Sequence, residues 1–123
     1  MAKKKILIVD DEQSITKLLK FMLEKTGVYE VSCLNEGLKV LSTIRTAAPD
    51  LLILDLNMPD ISGAEISAAI KDDSSLGHIP IVYLTGNVSR EEVDSGLSIG
   101  GHPAMAKPID VEKLLQCLEK NLK

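Results

Sequence analysis

Aromatic residues are scarce in this sequence: tryptophan is absent, and one phenylalanine and two tyrosines account for 2% of the 123 residues. The chain therefore lacks the stacking platforms on which single-stranded bases are held. It also lacks any excess of base, with 14 Lys and Arg against 18 Asp and Glu and a net charge of −4. A general phosphate-binding surface needs clustered cations, so direct nucleic-acid binding is not expected. Long apolar runs are missing too, and nothing approaches the roughly 20 residues of a membrane span. The apolar run behind Lys3, Lys4 and Lys5 ends at Asp10, too soon for the core of a secretory signal. The two cysteines, Cys33 and Cys117, lie far apart with no CxxC pairing. They read as reduced core thiols. A soluble, cytoplasmic protein without a membrane partner is the expectation.

With 45% hydrophobic and 26% charged residues the composition is that of a globular protein, and the length suits one domain over 1–123. Short apolar runs recur at 5–9 (KILIV), 29–33, 51–54 (LLIL), 79–84 (IPIVYL) and, more weakly, 104–106. Unbroken runs of this kind suit strands covered on both faces, as in a parallel sheet. Helix-period segments alternate with them. Ile15, Leu18, Leu19, Met22 and Leu23 mark the first, and Val111, Leu114, Leu115, Leu118 and Leu122 mark the last. The second and third helices are expected over 35–46 and 63–71. Gly27 ends the first helix, Asp110 caps the last, and Ser89 with Glu92 forms a capping box for a fourth that runs through Gly96. Strands alternating with helices imply an α/β fold, a three-layer doubly wound sandwich with a five-stranded parallel sheet and five helices.

In such sheets the chemistry lies at the carboxyl ends of the strands. Four of those ends carry polar residues: Asp10 and Asp11, Asp55, Thr85, and Lys107. Three clustered carboxylates repel one another and are tolerated with a proton or a cation, for which Mg²⁺ is the natural candidate. Asp10 and Asp11 would face the metal as a pair. Asp55, alone at its strand end, would be the nucleophile towards phosphorus, with Thr85 and Lys107 on the phosphoryl oxygens.

The segments ILIVDD at 6–11, LLILDLNMPDISG at 51–63, YLTG at 83–86 and the pair Lys107 and Pro108 resemble the receiver domains of two-component response regulators, over essentially the whole chain. The resemblance implies a flavodoxin-like sheet of order 2-1-3-4-5. It implies that Asp55 is the phospho-acceptor, that Asp10, Asp11, Asp55 and the backbone carbonyl of Asn57 hold Mg²⁺, and that Lys107 precedes a cis Pro108. It implies as partners a sensor histidine kinase or histidine phosphotransfer protein as donor. The downstream target protein would dock on the face formed by the fourth helix, fifth strand and fifth helix. A receiver catalyses only its own phosphorylation and dephosphorylation and is not an enzyme towards a separate substrate.

One departure from the family pattern matters. Ala104 stands where receivers usually have Tyr or Phe, so the aromatic half of the usual switch is missing. This keeps open a second reading, a receiver-like binding module whose docking ignores phosphorylation. A haloacid-dehalogenase-like phosphatase is disfavoured because Asn57 stands where its general acid would be, and a nucleotide carrier because 12–14 hold no glycine loop. His102 reads as a solvent-facing loop residue, and Asp60 as a turn residue or helix cap.

Overall fold

A computed structural model describes residues 2–86, 89–94, 96 and 98–122, with backbone alone at 90 and 94. The elements are β1 (Lys4–Val9), α1 (Gln13–Glu24), β2 (Tyr29–Leu34), a short 3₁₀ turn (Gly37–Lys39) leading into α2 (Val40–Ala47), β3 (Leu51–Asp55), α3 (Gly63–Asp72), β4 (Ile81–Thr85), α4 (Arg90–Asp94), β5 (Ser98–Ile99), β6 (His102–Ala106) and α5 (Val111–Asn121). The sheet order is β2-β1-β3-β4-β6-β5. The first five strands in that order pair in parallel, and β5 is added antiparallel at the edge. The expected order 2-1-3-4-5 therefore holds, with β6 as the fifth parallel strand.

The unbroken apolar runs are explained by two cores, one on each side of the sheet. Leu7, Val9, Leu52, Leu54 and Tyr83 pack with Val40 and Ile44 of α2 and Ile66 and Ile70 of α3. Their sequence neighbours Ile6, Ile8, Leu51, Ile53, Val82 and Leu84 pack on the other side with Leu19 and Leu23 of α1 and Leu114 and Leu118 of α5. Side chains alternate across a strand, so a strand covered twice must be apolar at every position.

The first helix buries Leu19 and Leu23 of the expected stripe and half-buries Ile15 and Met22, but Leu18 falls outside it. Its buried line is Thr16, Leu19 and Leu23, whereas Leu18 is 58% exposed and Phe21 64%. Leu18 lies about 100° around the helix from Leu19, which takes it off the sheet-facing line. The cysteines are free and half-buried rather than fully in the core, each packed against the edge of the α1/α5 cluster.

The largest departure concerns the fourth helix. Ser89 and Glu92 form the reciprocal capping box as expected, Glu92 N–H donating to Ser89 Oγ at 3.1 Å and Ser89 N–H to Glu92 Oε1 at 3.0 Å. The helix does not run through Gly96. Gly96 donates its N–H to Val93 O at 3.0 Å and has φ of 90°, so it closes the helix; residues 95 and 97 lie outside the described part. Strands β5 and β6 then form a hairpin. Gly100 (φ 58°) and Gly101 (φ 85°) are the two turn residues between Ile99 and His102, which pair across β5 and β6. Positive φ at both central positions is what a two-residue hairpin of this hand requires, and Gly-Gly supplies it without strain. His102 is therefore a strand residue, half-buried and edge-on to Tyr83, and not a solvent-facing loop residue.

Gly63, at the start of α3, is required by contact and not by dihedral angle. A Cβ there would lie 2.7 Å from the carbonyl oxygen of Asp55 and 2.9 Å from the Cα of Leu56. Both are backbone atoms that cannot swing aside, and Gly63 N–H also donates to Leu56 O at 3.0 Å. Gly63→Ala is expected to destabilise the fold by ~1–3 kcal/mol, the usual cost of overpacking. A urea titration with an unchanged m-value and a lowered midpoint would register it; an unchanged midpoint would mean that the loop after β3 yields.

Candidate functional site

Parallel pairing brings the carboxyl ends together by register. Val9 pairs with Leu54, Asp55 with Leu84, and Thr85 with Ala106, so the residues at or just beyond these ends share one edge of the sheet. The sequence-predicted set meets there. One oxygen each from Asp10, Asp11 and Asp55 fall within 4.8 Å of one another. Asp10 and Asp55 are buried and Asp11 is exposed, so the cluster opens to solvent on one side.

Each buried carboxylate is held by backbone. Asp10 continues the β1 ladder, its N–H donating to Leu34 O at 3.1 Å, and its Oδ1 accepts the N–H of Glu12 at 2.9 Å. Asp55 Oδ1 accepts the N–H of Asn57 at 3.2 Å, which fixes the carboxylate against the turn after β3. Lys107 enters from the end of β6, where its own N–H donates to Thr85 O at 2.9 Å. Its ammonium lies 2.8 Å from Asp10 Oδ2, 3.4 Å from Glu12 Oε1 and 3.5 Å from Asp55 Oδ1. The Lys107–Pro108 peptide bond is cis, as the resemblance implies.

Burial pushes the Asp55 carboxyl above its ordinary pKa, and the neighbouring Asp10 charge adds to this, while the Asn57 N–H and the Lys107 ammonium pull the other way. Burial would lower the pKa of Lys107, but its close contact with the charge of Asp10, with Asp55 and Glu12 behind it, raises it overall. One lysine thus stands against three or four carboxylates. Asp10 Oδ2 is buried and receives no well-directed hydrogen bond despite the short ionic contact with Lys107. A buried anionic oxygen left short of donors, beside two further carboxylates, fits a hard divalent cation with oxygen ligands.

Three side-chain contributions at the site go beyond the sequence-predicted set. Glu12 shares Lys107 with the acidic pair, and its position directly after Asp11 is the signal that could have found it. Asn35, just past β2, donates from Nδ2 to Asp10 O at 2.8 Å and to Thr16 Oγ1 at 3.2 Å, tying the β1 exit to α1; the pattern places it only at the start of a helix. Asn57, expected to act through its backbone, also reaches Thr85 Oγ1 with its side-chain Nδ2 at 3.5 Å. Asp60 stays outside the cluster. Its carboxylate accepts the N–H of Ile61 at 3.0 Å and of Leu38 at 3.0 Å, bracing the β3–α3 loop against the 3₁₀ turn.

Around Ala104 the arrangement is unexpected. Ala104 is buried and pairs in register with Tyr83 on β4, so an aromatic ring stands one strand over from the position where receivers usually carry it. Tyr83 is two residues before Thr85 and on the same side of the sheet. Its ring meets that of His102 at 5.7 Å between centroids and 87° between planes.

Comparison with known proteins gives consistent findings. The family model described as the response regulator receiver domain matches residues 6–119. The polar-differentiation response regulator DivK of Brucella anthropi is 30% identical over 119 residues, covering 97% of this chain and 96% of that protein. The chemotaxis response regulator CheY4 of Vibrio cholerae superposes with a TM-score of 0.83 at 32% identity, covering 98% of this chain and 100% of that one. A putative response regulator from Chloroflexus aurantiacus gives a TM-score of 0.84 at 28% identity over 98% of both chains.

Proposed function

Since the chain belongs to the receiver domain family of response regulators, we propose that it accepts a phosphoryl group on Asp55 from a phosphohistidine and thereby changes its binding to a partner protein. The observation that carries this reading is the placement of Asp55: buried, 3.5 Å from the Lys107 ammonium, and within 4.8 Å of the Asp10 and Asp11 carboxylates. A carboxylate oxygen of Asp55 attacks phosphorus, the O–P bond forms, the N–P bond breaks, and its electron pair stays on the donor imidazole. Asp10, Asp11, Asp55 and the carbonyl of Asn57 would hold Mg²⁺, which supplies the positive charge that lets phosphoryl oxygens approach these carboxylates. Lys107 meets one phosphoryl oxygen with its ammonium and Thr85 another with its hydroxyl. Water attack on phosphorus later returns the free carboxylate.

Readout would start at Thr85. Movement of its hydroxyl towards a phosphoryl oxygen acts on the end of β4, and with Ala104 in place of an aromatic the adjoining ring is Tyr83. The face for a downstream protein is that of α4, β6 and α5. It carries an open groove of about 530 Å³ bordered by Val93, Met105, Lys113, Cys117 and Lys120.

The test is an intact-mass measurement after incubation with Mg²⁺ and a small phosphoryl donor. The expected result is a gain of one phosphoryl group that hydroxylamine removes, as for an acyl phosphate; no gain sinks the proposal. Ala104 favours one second reading, a module that docks without regard to phosphate. Amide NMR shifts on phosphorylation that spread from Thr85 to β6 and α5 support the switch, whereas shifts confined to the acidic site support the static module.

A further inference from the structure

A second cavity, on the opposite end of the sheet from the acidic site, has a makeup that the phosphoryl chemistry does not use. It lies between α3, the start of β4 and the β5–β6 hairpin, and has a volume of about 180 Å³. Its polar lining is Ser67, Lys71 and His102, its apolar lining Ile70, Ile79 and Ile81, and no carboxylate is among its lining residues. None of the three polar side chains has a hydrogen bond or ion pair within the described protein. Ser67 is buried, with only 7% exposure, yet its hydroxyl makes no bond back to the helix. His102 is half-buried, with its ring set edge-on to that of Tyr83.

We propose that this cavity binds one small oxyanion, a phosphate or a carboxylate, through the Ser67 hydroxyl, the Lys71 ammonium and the protonated imidazole of His102. All three groups donate hydrogen bonds in that state, and two carry positive charge. Burial lowers the pKa of His102 and the Lys71 charge lowers it further, so the two cations oppose each other until an anion enters between them. Among the described residues, the charged and titratable groups facing His102 are Lys71 from α3 and Tyr83 from β4. The imidazole is already fixed edge-on against Tyr83, so binding does not have to order it. Size sets the ligand class. The volume is that of roughly six liquid waters, enough for a single oxyanion and below the roughly 300 Å³ at which pockets for larger organic ligands begin.

The site stands apart from the receiver reading and is tested without Mg²⁺. The full chain is titrated with sodium phosphate, and separately with acetate, against sodium chloride at constant ionic strength. NMR follows the ring protons of His102 and of His78, the other histidine, which serves as the internal control. The expected result is a saturable rise of about one unit in the His102 pKa, with amide shifts at 67, 71, 77 and 100 and no matching change at His78. A response to phosphate alone assigns a tetrahedral ion, and a response to both salts assigns oxyanions generally; either supports the site. Lys71 is exposed, so Lys71→Met should fold. This variant should raise the anion-free pKa of His102 by removing the repulsion, and weaken anion binding about tenfold. Parallel movement of both histidines, a response that does not saturate, or an unchanged response in Lys71→Met overturns the proposal.

Discussion

Asp55→Asn is expected to take up less than ~1% of the phosphoryl group that the wild-type chain takes from a small donor, because the substitution removes the attacking oxygen's charge and nucleophilicity together. Asp10 and Asp11 would not substitute for it. Asp10 points its Oδ2 at Lys107 and its Oδ1 at the Glu12 N–H, and Asp11 is exposed. The same variant should be more stable than wild type in Mg²⁺-free neutral buffer. Burial and the Asp10 charge raise the Asp55 pKa in the folded state. A carboxyl whose folded pKa is raised contributes its full stability below the unfolded value, near 3.9, and loses it as pH climbs through the folded value. At pH 7 the ionised Asp55 therefore costs stability, which the neutral amide avoids. The amide can still accept from Asn57 N–H, and Lys107 keeps Asp10 at 2.8 Å. Urea midpoints for the two proteins should lie apart at pH 7, converge below pH 4, and converge again when Mg²⁺ is added. Equal midpoints at pH 7 would mean that Asp55 is no burden on the fold, and a phosphoryl gain retained by Asp55→Asn would move the acceptor elsewhere.

Much of this fold is legible because a doubly covered parallel sheet writes itself as unbroken apolar runs. Residues 5–9 and 51–54 have almost no polar position, since odd and even members both meet a helix layer. The strand-end set is legible for a related reason. Once connectivity is parallel, the residues just after Val9, Leu54, Leu84 and Ala106 must share an edge, whatever their separation in sequence. The features that escape are local and cooperative. Leu18 fits an apolar stripe by spacing, but the sheet-facing line of α1 takes Thr16 in its place, beside the expected Leu19 and Leu23. Gly100 and Gly101 carry no strand signal of their own, yet their paired positive φ values build a hairpin that draws His102 into the sheet. Asn35 and Glu12 matter through partners in other elements, Asp10 and Lys107, and no spacing rule announces such contacts.

Lys107→Met should be the most damaging single change within the acidic site for stability at neutral pH. Its ammonium is the cation set against Asp10 at 2.8 Å and Asp55 at 3.5 Å, and those two side chains are 0% and 3% exposed. A buried ion pair is weak evidence of net stabilisation, but deleting one partner leaves the other charge buried and unbalanced, at a cost of ~3–5 kcal/mol. Lys107 itself is 17% exposed, so water reaches the pair and the lower end applies, about 3 kcal/mol. For a chain of this length that corresponds to a fall in Tm on the order of 10 °C. Three interventions should repair the defect through the same electrostatics. Lys107→Met with Asp10→Asn should recover most of the loss, because the orphaned charge goes with its partner. Mg²⁺ at 100 times its Kd should return about 2.7 kcal/mol by binding the folded state alone. Lowering the pH should also narrow the gap to wild type, as protonation neutralises the carboxylates that Lys107 had balanced. At the alkaline end the loss falls on wild type. The folded pKa of Lys107 is raised, so its contribution is full below the unfolded value of about 10.4 and is lost as pH rises through the folded value, bringing wild type down towards the variant. If Lys107→Met unfolds at the wild-type midpoint without Mg²⁺ at pH 7, then water and not Lys107 solvates the acidic cluster, and the charge balance argued for the site is wrong.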